Sequence, residues 1–287
     1  MRQERHIVRD ISYAHSAETR GGRAMIRAME NLTGRVRLIK RAEGYEQDVA
    51  NGRDFWQVMV ARYGLTLDVV AGSLDNIPRE GPLILTANHP YGILDGLIMG
   101  HILSETRGDF RILANSVFRK AGDLSKILLP ISFDETRDAQ RMNIETRRAS
   151  LDYLAQGGAI GIFPGGAVST AAKPFSRPMD PGWRKFAARM AAKSNATVVP
   201  MFFDGHTSRL FQIASHMHST LRMGLLIKEF GKRVDTPVRV VIGKPMTRAV
   251  LDPMSKDANS LIEFLRQKTY ELSPEPIDPK GIGFEWD

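Results

Sequence analysis

Leu83-Ile84-Leu85-Thr86-Ala87-Asn88-His89-Pro90-Tyr91-Gly92-Ile93-Leu94-Asp95-Gly96 passes from an apolar run, through a loop, into the start of a helix. The run at its head predicts a buried strand, and the apolar residues 97–103 predict the helix that leaves the loop. Pro90 pushes His89 away from helical geometry into an extended one. Gly92 lets the chain fold back without a Cβ penalty. The loop can therefore bring Asp95 toward the His89 ring across five intervening residues. A carboxylate beside an imidazole fixes its tautomer and stabilises the imidazolium, so that the other nitrogen can take a proton from a hydroxyl. The same spacing also fits a plainer arrangement, in which Asp95 caps a helix and His89 rests in a loop. Spacing alone does not choose between them.

Outward from this stretch, strands are expected at residues 65–70, 83–87, 110–115, 127–133, 159–163, 197–203 and 238–242. Pro130 marks the fourth as an edge strand. Helices are expected at residues 95–103, 139–156, 181–193 and 256–271, and over most of 206–230. Strands alternating with helices predict an α/β fold, a mostly parallel sheet flanked by helices. That domain is expected to span residues 65–287, preceded by a helical N-terminal segment, residues 1–64. Residues 1–20 are polar without clear periodicity and are expected to be poorly ordered or loosely docked. Residues 23–41 place Met25, Ile26, Met29, Leu32, Val36 and Ile39 at helical spacing among six basic side chains. Such a basic amphipathic helix suits a membrane interface, and it equally suits packing on its own domain. A second N-terminal helix is expected over residues 47–63, with Gly64 as its stop.

The chain has 287 residues, 43% hydrophobic and 25% charged, which is ordinary for a globular protein. It has no cysteine, which removes disulfides, thiolate nucleophiles and cysteine metal sites together. The first residues lead into no apolar core, so no secretory signal is expected. Nowhere do about 18 consecutive apolar residues occur, so membrane contact is expected to be peripheral. Net charge is +8 with a pI near 9.8. Residues 170–233 hold eleven Lys/Arg against three Asp/Glu, which equals the whole excess. Such a region suits anionic headgroups, phosphates, an acidic carrier protein or nucleic acid, and also a merely solvated basic face.

Ligands of open α/β sheets bind beyond the carboxyl ends of the strands. His89, Asn115, Gly165 and Asp204 each follow such an end. In Phe163-Pro164-Gly165-Gly166-Ala167-Val168-Ser169-Thr170 the small residues leave backbone N–H groups open to an oxyanion or a phosphate. The segment is neither a phosphate-binding loop nor a nucleophile elbow, so Ser169 is not expected to act as a nucleophile. Lys173, Arg177, Arg184 and Lys185 follow it and can meet an anionic group. His216 and His218 stand two apart and do not share a helix face. With no carboxylate cluster beside them, no metal site is expected.

Four blocks now form an ordered pattern. Asn88-His89-Pro90-Tyr91-Gly92-Ile93-Leu94-Asp95 resembles the first motif of the lysophospholipid/glycerol-3-phosphate acyltransferase superfamily. Phe163-Pro164-Gly165-Gly166 stands where that superfamily has Phe-Pro-Glu-Gly. Val198-Val199-Pro200-Met201 and Ile242-Gly243-Lys244-Pro245 resemble its later blocks. Two departures point to a branch. His89 and Asp95 have five residues between them rather than four, as in bacterial enzymes similar to lyso-ornithine-lipid and other lyso-aminolipid acyltransferases. The Glu and Arg that much of the superfamily uses to hold a glycerol phosphate are absent around Gly166, Ala167, Val168 and Ser169.

The resemblance implies O-acyl transfer from a thioester to the hydroxyl of a lyso-lipid, with His89 as general base oriented by Asp95. It implies that Asn88, Tyr91 and Gly92 shape the substrate loop, and that Gly165 and Gly166 meet the oxyanion. Asn115, Phe163, Pro164 and Ser169 join the expected substrate-binding set, with Lys173 and Arg209 for anionic groups. No bound cofactor is expected. The expected acyl donor is acyl carrier protein, with acyl coenzyme A as the alternative. The expected setting is peripheral, on the cytoplasmic face of the inner membrane, with no nucleic-acid partner. Two other acceptor classes stay open: 1-acylglycerol-3-phosphate and other lysophospholipids. So do hydrolysis, with water as the acceptor, and a non-catalytic basic protein bound to a membrane or nucleic acid.

Overall fold

The computed structural model describes residues 11–17, 19–115, 127–132 and 136–285. Its centre is a sheet built from β1 (Thr66–Gly72), β2 (Leu83–Ala87), β3 (Arg111–Asn115), β4 (Leu128–Ile131), β5 (Ala159–Ile162), β8 (Thr197–Phe203) and β9 (Pro237–Ile242). Between β5 and β8 a two-stranded ribbon, β6 (Thr170–Ala171) with β7 (Pro178–Met179), stands apart from it. The seven strands lie in the order β1-β9-β8-β2-β5-β3-β4. β8, β2, β5, β3 and β4 run parallel, while β9 opposes β8 and carries β1 parallel to itself. The expected mostly parallel sheet is therefore present. β4 is an edge strand as Pro130 implies, and Phe133, the expected end of that strand, lies outside the described residues.

Alternation along β2 explains why both faces are covered. Leu83, Leu85 and Ala87 belong to one core, and Ile84 to the other; all four are fully buried. A two-residue period sends successive side chains to opposite faces of a strand. α5 (Ile93–Arg107) packs in the first core through Ile98, Ile102 and Leu103. The second core holds Met190 of α7 (Phe186–Lys193) and Leu261 and Leu265 of α11 (Ala258–Tyr270). α6 (Arg137–Ala155) closes at Gly157, whose φ of +85° suits glycine at a helix end.

Several helices differ from their expected limits. The helix expected at residues 23–41 is two, α1 (Arg20–Thr33) and α2 (Arg35–Ala42), broken at Gly34 with φ +124°. The helix expected at residues 47–63 is also two, α3 (Tyr45–Ala50) and α4 (Phe55–Arg62). Here the Asp54 carboxylate accepts from the Gln57 N–H, starting a new helix rather than continuing the old one. Residues 206–230 form α8 (Arg209–Met217) and α9 (Ser219–Gly231), separated by an extended His218 whose ring caps α9. Residues 181–185 are not helical, and α7 begins only at Phe186. The Arg184 N–H donates to the Pro164 carbonyl (2.9 Å) and the Trp183 indole to Asp180 (2.9 Å). Those bonds hold the segment as a loop. α10 (Arg248–Leu251) is a single turn before α11.

Of residues 1–20, residues 1–10 and 18 lie outside the described residues, and residues 11–17 are not loosely docked. Ser12 Oγ and the Tyr13 N–H both donate to the buried Glu30 carboxylate, each at 2.6 Å, and Arg35 Nε donates to the Ile11 carbonyl at 2.7 Å. The helices α2 to α4 share the first core with the sheet through Leu38, Tyr45, Trp56 and Met59.

Candidate active site

The loop after β2 turns back at Gly92 (φ +77°), which is the N-cap of α5. Asp95, at the third helical position, is fully buried. Its Oδ2 accepts from the Tyr91 N–H (2.7 Å) and the Gly92 N–H (3.0 Å), and lies 3.0 Å from His89 Nδ1. Burial pushes the Asp95 carboxyl above the ordinary carboxylate range, and His89 with the two N–H donors pulls the other way. The His89 side chain keeps 19% of its surface exposed. Its ring stacks on Phe163, with centroids 4.3 Å apart and planes 28° apart.

A second strand end fixes this loop from below. Phe163 follows β5, and the Gly166 N–H closes a turn onto the Phe163 carbonyl (3.0 Å). That bond commits Gly166, so of the glycine pair Gly165 is the one whose N–H the turn does not use. The Ser169 N–H then donates to the His89 carbonyl at 2.8 Å. Asp180, fully buried, ties the pieces together. It accepts from the His89 N–H (3.1 Å) and the Ser169 hydroxyl (2.5 Å) through Oδ1, and from the Trp183 indole through Oδ2. A Cβ at Gly165 would come within 3.1–3.2 Å of that carboxylate side chain.

His89 opens on a cavity of about 900 Å³, within the range that holds small lipidic ligands. Trp56, Met59, Leu97, Leu226 and Phe230 give it apolar wall, and Ile112, Leu128 and Ile162 extend that wall under β3 to β5. Of the residues singled out in the sequence, His89, Gly92, Asn115, Phe163, Pro164, Gly165, Gly166 and Arg184 line it. Three others are buried behind it. Asn88 exchanges two hydrogen bonds with the backbone of Phe203 (2.7 and 3.0 Å), locking the end of β2 to the end of β8. Tyr91 lies under Arg233, 4.9 Å from ring centre to guanidinium carbon, and burial pushes its phenol pKa up to about 12. Ser169 points at Asp180. Asp204, the fourth strand exit, does not line the cavity; it pairs with Arg239 at 2.8 Å.

Lys173 and Arg209 are not brought to the cavity. Lys173 occupies an exposed turn closed by Ser176, and Arg209 opens α8 with its side chain in solvent. Solvation of an isolated cation is cheaper than burying it, so basic residues in these positions stay outside. Asp180, Trp183, Tyr13 and Arg222 shape the site without having been singled out. Tyr13 OH accepts from the Ile93 N–H at 3.2 Å, at the first turn of α5. A lone Asp ahead of a proline carries no local signal. The histidines of residues 206–218 are taken up within the fold: His206 Nδ1 meets the Thr207 carbonyl, His216 packs edge-on to Phe284, and His218 caps α9.

Over residues 45–277 the chain matches the Acyltransferase family. It is similar to the lyso-glycine lipid O-acyltransferase of Phocaeicola vulgatus, 26% identical over 208 residues, 69% of this chain and 71% of that protein. It is also similar to the lyso-glycine lipid O-acyltransferase of Bacteroides thetaiotaomicron, 25% identical over 217 residues, 72% of this chain and 76% of that one. Among solved structures it resembles the 1-acyl-sn-glycerophosphate acyltransferase PlsC from Thermotoga maritima, at 16% identity and a TM-score of 0.45, covering 92% of this chain and 87% of that one. The family match begins in α3 and runs past the end of α11, taking in all seven sheet strands and the loop that pairs His89 with Asp95, and the chain belongs to the acyltransferase family.

Proposed function

We propose that this acyltransferase moves a fatty acyl group from a thioester to the hydroxyl of a lyso-lipid whose headgroup is an amino acid. The observation that carries the reading is the His89–Asp95 pair, 3.0 Å apart, with the imidazole opening on the apolar cavity. Asp95 faces Nδ1, so the ring takes the acceptor's proton on Nε2. The freed oxygen attacks the thioester carbonyl, and the resulting oxyanion is met by backbone N–H at Gly165. Collapse breaks the carbon–sulfur bond, and the leaving thiolate recovers the proton from the imidazolium. Ser169 takes no covalent part, because its hydroxyl is committed to Asp180.

The absent Glu and Arg near Gly166 favour an acceptor other than a glycerol phosphate, and the names of the two curated relatives agree with a lyso-aminolipid. The donor we propose is acyl carrier protein, because the basic excess of residues 170–233 complements an acidic partner; acyl coenzyme A is the alternative. Among the described residues no helix is long and apolar enough to cross a membrane. We place the enzyme at the cytoplasmic membrane surface, which it meets through exposed Met25, Leu32 and Val36 on the basic helices α1 and α2.

The test is transfer by purified protein to a panel of lyso-aminolipids and lysophospholipids, from each of the two donors. His89→Ala is expected to lower turnover by about 10²–10⁴. Turnover within a few-fold of the wild type in that variant would sink the general-base assignment. A wild-type preference for lysophosphatidic acid would sink the acceptor assignment. Accumulation of a mono-acyl aminolipid in cells lacking the gene is the expected phenotype.

A further inference from the structure

The ribbon of β6 and β7 leaves the wall of the cavity and returns to it. Val168 and Pro181, on either side of it, line the cavity, and Ser169 and Asp180 both hydrogen-bond the backbone of His89. The far end of the ribbon is the turn Lys173-Pro174-Phe175-Ser176. The Ser176 N–H closes it on the Lys173 carbonyl (3.0 Å), and Ser176 Oγ donates to the same carbonyl (2.9 Å). At about 3.3 Å per extended residue, the tip stands no more than about 20 Å from Ser169. Proline suits the second place of such a turn, and a positive φ at the third suits glycine. Here the third place is Phe175, at φ +72°. Among the described residues other than glycine, only Asp235 shares a positive φ, and a short polar side chain tolerates that region better than a phenyl ring does. The strain brings no burial, since Phe175 is 76% exposed. A phenyl ring held in an unfavourable backbone conformation so as to face water is doubly unfavourable for the free chain.

Neighbouring charge gives the sign of the missing partner. Between Ser169 and Lys228 the chain carries nine Lys/Arg and two acids, Asp180 and Asp204, both buried. Arg177, at the foot of the turn, pairs with Glu275 (3.2 Å), whereas among the described residues Lys173 meets no carboxylate. α8 is tied to β6 by Gln212, whose Oε1 accepts from the Ala171 N–H (2.8 Å). That helix carries exposed Leu210, Ile213 and Met217 at one helical spacing, beside exposed Arg209. Bare apolar side chains among cations, with no exposed acid between them in the chain, match the boundary between the anionic headgroups and the acyl chains of a bilayer. A fluid layer also accepts a single ring on a narrow turn without offering it a shaped pocket.

Resting on the membrane setting proposed above, we propose that the turn of residues 173–176 is a membrane anchor. It inserts Phe175 into the interface of an anionic bilayer and sets Lys173 against the headgroup phosphates, a contact separate from that of α1 and α2. Because both ends of the ribbon are fixed to the backbone of His89, the anchor holds the cavity wall against the layer from which a lipid acceptor comes. A ring that served the fold would stabilise it, so its removal would lower the melting temperature. A ring that serves the bilayer predicts the opposite: removal relieves strain in the free chain and weakens only the bound state.

Co-sedimentation of the full chain with vesicles of phosphatidylglycerol and phosphatidylcholine separates these. Phe175→Gly is expected to lower the partition coefficient about 10-fold, while the melting temperature holds or rises by about 1–3 °C. Phe175→Asn, which also tolerates a positive φ, should behave alike, and Phe175→Trp should keep wild-type binding. Lys173→Gln should weaken binding to these vesicles about 5-fold and leave binding to pure phosphatidylcholine unchanged. Wild type that stays in the supernatant, or Gly and Asn variants that partition like wild type, overturns the anchor. So does a melting temperature lowered by several degrees in both variants, which makes the ring a part of the fold. Loss of binding to acyl carrier protein, or of self-association, with vesicle binding intact, overturns it by assigning the turn to a protein partner. Turnover on an acceptor dispersed in detergent needs no anchor. Failure of wild type in that assay therefore counts against the reaction proposed above, and the partition coefficients judge Phe175 separately.

Discussion

Asp95 joins at the residue scale two roles that its spacing presented as alternatives. One oxygen, Oδ2, caps α5 through the Tyr91 and Gly92 N–H groups and also faces His89 Nδ1. Its raised pKa fixes the sign of a pH effect. Between the ordinary carboxylate range and the raised value, the folded chain binds more proton at this group than the unfolded chain does. Stability therefore falls as pH rises through that window. Asp95→Asn removes that slope, which urea unfolding across pH would show. Its amide oxygen still accepts from both N–H groups, so the variant is expected to fold, while turnover drops by about 10²–10⁴ because the imidazolium loses its counter-charge. Asp95→Ala leaves both donors unsatisfied and is expected to cost about 1–3 kcal/mol in the same measurement.

At the scale of elements, the contact between α4 and α5 decides the shape of the apolar wall. Gly100 lets Trp56 lie directly on α5; a Cβ there would stand 2.2 Å from the indole ring. Gly100→Ala is expected to destabilise by about 1–3 kcal/mol through overpacking, read as a lower melting temperature. The displaced indole narrows the cavity that Trp56 lines, so the acyl-chain preference should move to shorter donors. Unchanged chain-length preference would show that Trp56 does not bound the acyl site. Helix breaks follow the same logic of local chemistry overriding a periodic pattern. Gly34 and Asp54 each interrupt an apolar repeat that reads as continuous.

Across the whole molecule, the apolar stripe of residues 23–41 is divided between two environments. Ile26 is fully buried, while Met25, Leu32 and Val36 are 53%, 87% and 48% exposed. The stripe thus serves the core with one edge and leaves the other for the proposed membrane surface. Met25→Glu combined with Leu32→Glu should weaken co-sedimentation with anionic vesicles several-fold. The melting temperature should stay nearly constant, since exposed substitutions usually fall within about 0.5 kcal/mol. Undiminished vesicle binding would exclude this face as the contact.

The strand–loop–helix at residues 83–96, the alternation of strands and helices, and the order of the four motifs were legible in the sequence alone. Each is written in neighbouring residues, as a period of two or 3.6, a Pro or Gly at a turn, or a short fixed spacing. Asp180 and Arg222 were not legible, since their partners lie 91 residues away at His89 and 54 away at Val168. Nor could composition tell Arg222, buried in the cavity wall, from Lys173 and Arg209, which remain in solvent. Whether a charge is desolvated depends on which segments close over it. That is settled when residues 11–17, the loop after β5 and α9 pack around one cavity.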